Sequence, residues 1–276
     1  MFRNLNEEQL TVKCNDMRMN ILEMIYNAGS GHPGGSFSSV EMLTVLYNKI
    51  MKHDPSNSKW EERDRFVLSK GHVCPALYAV LADCGYFDKS ELNKLRKFGS
   101  VLQGHPYMHK TNGLDVSSGS LGQGLSVSVG MALGARIDAA DYRVYCLMGD
   151  GETQEGQVWE AAMAAGHYKL DNLCGIVDFN KLQIDGSVEK VMNINPYKEK
   201  WLAFNWNVIE VDGHDVIAVE KAYKDASEYK GKPTMIIAHT VKGKGVSFME
   251  NVAGWHGVAP NKEQYEAAMK ELRSKY

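Results

Sequence analysis

The chain has 276 residues, of which 44% are hydrophobic and 24% charged, with a formal net charge of -3. That length can bury a sizeable core, and the near-neutral balance excludes a general attraction to nucleic acid or to an anionic membrane surface. The charged N-terminus MFRNLNEEQL has no apolar run of a signal peptide, and no apolar stretch is long enough to span a bilayer.

The cysteines (Cys14, Cys74, Cys84, Cys146 and Cys174) are scattered and form no CxxC pair. Cys74, Cys146 and Cys174 lie beside apolar residues and are expected to be buried thiols, in keeping with a reducing cytoplasm.

In chain order, Leu10, Cys14, Met17, Ile21, Met24 and Ala28 recur in steps of three and four, predicting a helix that stops at Gly29. Ser30-Gly31-His32-Pro33-Gly34-Gly35 reads as a loop. Ser38-Ser39-Val40-Glu41 reads as a capping box that opens a helix through Lys49. A strand is expected over 65–69, ending at Lys70-Gly71-His72, with helices over 75–83 and 90–98. A glycine- and serine-rich loop covers 99–120. Leu121, Leu125, Val129, Leu133 and Ile137 then form a helical ladder.

The second half alternates. Strands are expected over 142–148, 173–179, 206–211 and 234–241, and helices over 155–168, 197–204, 215–229 and 261–275. Strand and helix in turn predict βαβ crossovers. The fold class is therefore α/β, a mostly parallel sheet covered by helices on both faces, in a single domain over 1–276 with a helical N-terminal extension.

In such a sheet, ligands bind beyond the carboxyl ends of the strands. Gly149-Asp150-Gly151 directly follows the apolar run YRVYCLM. Its glycines let backbone approach a ligand and lead into a helix N-terminus suited to an anion. Asp150 would repel that anion unless a divalent cation bridges the two, and Mg²⁺ takes hard oxygen ligands of this kind. The partner ligand is expected in DFNKLQIDG at 178–186, where a parallel neighbour brings Asn180 near Asp150.

Gly-Asp-Gly after one strand and Asn180 after the next resemble the thiamine-diphosphate fingerprint. GHPG at 31–34, SKGH at 69–72, GHP at 104–106, LGQG at 121–124, the stretches 149–156 and 180–186, and HG at 256–257 follow in the order of the transketolase family. The resemblance covers nearly the whole chain. It implies a thiamine-diphosphate-binding fold, with thiamine diphosphate and Mg²⁺ (or Ca²⁺ or Mn²⁺ in its place) as cofactors. Asp150, Asn180 and the Leu182 carbonyl would hold the metal. Gly151, His72 and His256 would contact the diphosphate. Gly119 and Leu121 would approach the aminopyrimidine through their backbone, and Ile184 would pack near the thiazolium. His32 and His105 resemble the residues that line the substrate channel, bind sugar hydroxyls and move protons. Glu155 joins the cofactor set and, with Glu160, resembles the family's acidic residues at the dimer interface. His53, His109, His167, His214 and His239 are read as structural.

The chain departs from the family's usual residues at Tyr107, Ser120 and 253–255, which bear on the choice of sugars. The family match ends with the first domain, and no glutamate matches the one by which a pyrimidine-binding domain activates the cofactor. The resemblance thus implies the N-terminal subunit of a split transketolase, or else a fragment of a longer chain. Such a subunit would pass a two-carbon ketol unit between sugar phosphates together with a separate C-terminal subunit, self-associating into an α₂β₂ assembly. The α-type subunit of a 2-oxo-acid dehydrogenase shares the Gly-Asp-Gly and Asn pattern, and a 1-deoxyxylulose-phosphate-synthase-like enzyme is a third reading. His32, His72, His105 and LGQG favour sugar handling. Intact Asp150 and Asn180 weigh against a homologue that binds without turnover.

Overall fold

The computed structural model describes residues 5–275 and begins with α1 (Glu7–Ala28), the helix that the apolar spacing requires. Asn6 and Gln9 cap it reciprocally, and Gly29, at φ 59°, ends it in the left-handed region. The loop expected over 30–35 gives way at Pro33 to a short buried helix, α2 (Pro33–Ser38). Proline at the first position presets the helical φ, and a Cβ at Gly35 would come 2.9 Å from Val73, so the glycine lets the turn pack inside.

The expected capping box at 38–41 does not form. Ser38 donates instead to Asp178 at 2.6 Å, and Glu41 pairs with Arg18. Beyond it, α3 (Val40–Val45) runs into a π-helical turn at Leu46–Ile50.

Next come β1 (Arg65–Leu68) and α4 (Cys74–Cys84). The helix expected over 90–98 is a 3₁₀ turn at Lys89–Lys94, started by the Asp88 side chain and pinned by buried Leu92 and Leu95. Then follow α5 (Gln123–Ile137), β2 (Val144–Gly149), α6 (Gly156–His167) and β3 (Leu173–Phe179). A small hairpin that periodicity does not reveal, β4 (Leu182–Gln183) and β5 (Gly186–Ser187), precedes α7 (Val188–Met192). The chain continues through α8 (Tyr197–Ala203), β6 (Asn207–Asp212), α9 (Val216–Glu228), β7 (Thr234–His239) and α10 (Lys262–Arg273).

The main sheet has the order β1-β2-β3-β7-β6, with every pair parallel. Alternate residues of β2 face opposite layers: Tyr145 and Leu147 join the core that includes α1, α3 and α4, whereas Val144, Cys146 and Met148 join the one beneath α5 and α6. Each fully buried aliphatic side chain contributes roughly 1.5–3 kcal/mol, and a one-residue slip would exchange the faces, so burial fixes the register. That register sets Gly149 opposite Asp178, which places two chemistry-bearing strand ends side by side.

Cys14, Cys74, Cys146 and Cys174 are buried as free thiols, and Cys84 is half-buried. Among the described residues, no helix is long and apolar enough to cross a membrane.

Candidate active site

The end of β2 delivers Asp150 into a nearly closed environment, with 2% of its surface exposed. Its carboxylate accepts from the Gly151 N–H at 2.7 Å and from the Lys181 N–H. Burial first, and then the charge of Asp178, push its pKa up to about 7. One strand over, Asn180 donates through Nδ2 to Asp178 at 2.8 Å, and its Oδ1 accepts from the Leu182 N–H at 3.1 Å. The β4–β5 hairpin turns the Leu182 carbonyl back toward them, where the Lys242 ammonium donates to it at 3.0 Å. A carboxylate, a carboxamide oxygen and a carbonyl oxygen thus border one cleft.

Beneath them lies a buried ion pair, Lys70 with Asp178. Asp178 also accepts from Ser38 and Thr240. Burial alone would raise its carboxyl, but the Lys70 ammonium and these donors hold it below the usual carboxylate range. Glu152 closes the floor, accepting from the Ser69 hydroxyl and from the Gly122 and Gly149 N–H groups.

Three histidines form the opposite wall. The His32, His72 and His256 rings lie 5.0, 5.5 and 5.2 Å apart, pair by pair. Burial lowers all three: His32 to about 4, helped by Arg96; His256 to about 3, helped by Lys242; and His72 well below its ordinary value, helped by Lys70. All are therefore neutral near pH 7. Lys242 lies 2.9 Å from His256 Nδ1, which leaves His256 Nε2–H as a donor. The His32 Nδ1 atom is buried with no hydrogen-bond partner among the described residues, so the wall has unmet polar capacity. His105 packs over Gly119, where a Cβ would come 3.2 Å from its ring.

Of the residues singled out from sequence for cofactor, metal or substrate, all line one cleft of about 370 Å³: His32, His72, His105, Gly119, Leu121, Asp150, Gly151, Glu155, Asn180, Leu182, Ile184 and His256. Leu121 and Ile184 are exposed at 38% and 68%, and Glu155 and Glu160 are exposed, with Glu160 outside the cleft. A larger cavity of about 1020 Å³ shares Asp150, Asn180 and Leu182 but lacks the three-histidine wall, so the chemistry is concentrated in the smaller one.

Sequence reasoning missed Lys70, Glu152, Asp178 and Lys242. For Lys70 and Asp178 a signal was available, because a charged residue at the end of a mainly apolar strand must find a partner inside.

The oxygen donors suit a hard divalent cation such as Mg²⁺, and the two ammonium groups and neutral imidazoles suit a diphosphate. The family described as "Transketolase, thiamine diphosphate binding domain" matches residues 9–276. The chain is 45% identical over 265 residues to one of the subunits of apulose-4-phosphate transketolase from Phocaeicola vulgatus, covering 96% of this chain and 94% of that one. It is 45% identical to a 6-deoxy-6-sulfo-D-fructose transketolase subunit of a Clostridium species, covering 97% and 98%. The crystal structure of transketolase from Campylobacter jejuni superposes with a TM-score of 0.91 at 35% identity, covering 98% of this chain and 43% of that longer one.

Proposed function

The chain belongs to the transketolase family, matching its thiamine diphosphate binding domain, and we propose that it is the N-terminal subunit of a split transketolase. In this reading the whole chain is one diphosphate-binding domain that transfers a two-carbon ketol unit between sugar phosphates together with a separate C-terminal subunit. The observation that carries it is the convergence of Asp150, Asn180 and Leu182 with His32, His72 and His256 in one cleft. Two relatives of nearly the same length, both designated transketolase subunits, support the division of labour.

Asp150, Asn180 and the Leu182 carbonyl would hold Mg²⁺. His72, His256, Gly151 and Lys242 would receive the diphosphate, with His256 donating from Nε2. Gly119 and Leu121 would meet the aminopyrimidine and Ile184 the thiazolium. When bound, thiamine diphosphate would supply a nucleophilic carbon and an electron sink for the ketol unit. His32 and His105, neutral at pH 7, would bind sugar hydroxyls and shuttle their protons.

The half-exposed Leu121, the exposed Ile184 and the carboxylates Glu155 and Glu160 would be covered on assembly, the last two at a contact between copies in an α₂β₂ enzyme. The relatives' names point to ketoses bearing a phosphate or a sulfonate. They favour ketol transfer over the 2-oxo-acid dehydrogenase and deoxyxylulose readings. Free thiols support a cytoplasmic setting.

The test is an assay with ribose and xylulose phosphates, thiamine diphosphate and Mg²⁺, run on this chain alone and with the complementary subunit. Robust turnover by the chain alone would defeat partner dependence. Turnover of 2-oxo acids in place of sugars would replace the transferase reading.

A further inference from the structure

His214 stands outside the cofactor cleft, between β6 and α9, yet both of its ring nitrogens are held. Nδ1 lies 3.0 Å from Glu41 Oε2, and the Val241 backbone N–H donates to Nε2 at 2.8 Å. A backbone amide can only donate, so Nε2 is the acceptor and the proton sits on Nδ1, donated to Glu41. Glu41 is itself fixed, buried against the Arg18 guanidinium at 2.7 Å.

Val241 immediately precedes Lys242. On the other side, the Gly243 N–H donates to the Gly34 carbonyl at 2.9 Å. The residue that brings an ammonium to the cleft is thus pinned before and after, once by an imidazole and once by the start of α2. Its stem is also confined, since a Cβ at Gly34 would come 3.0 Å from Lys242 Cγ.

We propose that His214 is a positioning residue for the diphosphate end of the cleft. It holds the loop after β7 so that the Lys242 ammonium meets the Leu182 carbonyl and His256 Nδ1 rather than solvent. The inference rests on the cofactor reading above and adds to it a residue from outside the pocket. Without the imidazole, the entropy of ordering this loop and its long side chain is charged to ligand binding.

The experiment titrates the full-length chain with Mg²⁺ and thiamine diphosphate by calorimetry. It compares wild type, His214→Leu, His214→Asn, His214→Gln, Lys242→Met and the double variant His214→Leu/Lys242→Met. His214→Leu should weaken binding by about tenfold. Asn, which keeps a donor for Glu41 but no acceptor at Nε2, should resemble Leu. Gln, which carries an acceptor near Nε2, should recover most of the loss. If His214 acts through Lys242, the double variant binds no worse than Lys242→Met alone, whereas a merely structural loss persists in that background. Should the Leu variant fail to fold, the contrast between Asn and Gln decides. Equal affinity in wild type and Asn, or losses that simply multiply in the double variant, overturns the inference. No binding by the wild-type chain even with the complementary subunit present strikes the cofactor reading itself, and this inference with it.

Discussion

The Lys242 ammonium donates at 3.0 Å to the Leu182 carbonyl, the oxygen proposed above as a ligand to the metal. Two cations drawn to one carbonyl repel each other by a few kcal/mol at an effective dielectric of about 20, part of which is relieved by movement of the side chain. Replacing Lys242 by Met should therefore tighten binding of Mn²⁺ alone by about tenfold. It should weaken pyrophosphate in the presence of Mn²⁺ by a similar factor, because the anion loses a cation. Calorimetric titrations of the two ligands separately give the signs. A loss of metal affinity in Lys242→Met would mean that Lys242 supports the metal oxygens rather than competing for one.

The pH dependence of metal binding follows from two neighbouring groups. Burial, then Asp178, raises the Asp150 carboxyl to about 7, so below that pH a proton would compete with the proposed metal. Mn²⁺ affinity should climb from pH 5 to 7, by at most about tenfold per unit, level off, and rise again above about pH 8 as Lys242 loses the charge that repels the metal. His32 and His256, at about 4 and about 3, stay neutral through this window. On the alkaline side, burial lowers Lys242 to about 8, so pyrophosphate affinity should fall above that pH as the ammonium loses its proton. Titrations from pH 5 to 9 test both limbs, and Lys242→Met should lack the second. A flat Mn²⁺ profile would remove Asp150 from the ligand set.

Much of this site was legible because its parts sit where the fold's periodicity changes. Gly149-Asp150-Gly151 and Asn180 announce themselves as polar residues after apolar strands, and parallel pairing brings them together. The strand over 173–179 is read to the residue, since a run buried on both faces has sharp polar ends. The glycine-rich segment at 33–38 was not legible as a helix. Its stability comes from enclosure against Val73 and Lys242, which no local pattern records. Ser38 and Glu41 satisfy a capping motif on paper but are claimed by Asp178 and Arg18 from distant parts of the chain. Lys242 was missed for the same reason, because its importance depends on Leu182 and His256 rather than on its sequence neighbours.

His32 and His105 should separate substrate handling from cofactor binding, though unequally. His105 lines the cleft and packs on Gly119, and burial together with Arg96 keeps it neutral. His105→Ala should lower kcat/KM for sugar phosphates by about 10²-fold or more in the assembled enzyme, with thiamine diphosphate affinity nearly unchanged. His32 touches the rings of both His72 and His256, so His32→Ala should add a small loss of cofactor affinity to its loss of turnover. A large loss of cofactor binding in His105→Ala would show that its role is in holding the cofactor.

Glu152 joins three segments that must converge for the cleft to exist. Its carboxylate accepts from Ser69 at 2.5 Å and from the Gly122 and Gly149 N–H groups at 2.9 Å each. Ser69 in turn accepts from the Gly124 N–H at 3.1 Å, and a Cβ at Gly124 would strike it at 2.4 Å, so the packing leaves no room for a substitute contact. Glu152→Ala removes the shared acceptor and leaves these buried donors unpaired, an expected loss of about 3–5 kcal/mol. For a chain of this size that corresponds to a fall in Tm of roughly 10 °C. Glu152→Gln keeps the volume and one acceptor oxygen, so it should lose about half as much, while its NH₂ group faces a donor. Urea denaturation of the three proteins at pH 7 gives the comparison. Cofactor affinity measured on the same samples should fall in the same order, since Gly149 leads into Asp150 and Gly122 follows Leu121. A Glu152→Ala midpoint equal to wild type would mean that these loops are held by the strands alone and that the carboxylate serves the ligand rather than the fold.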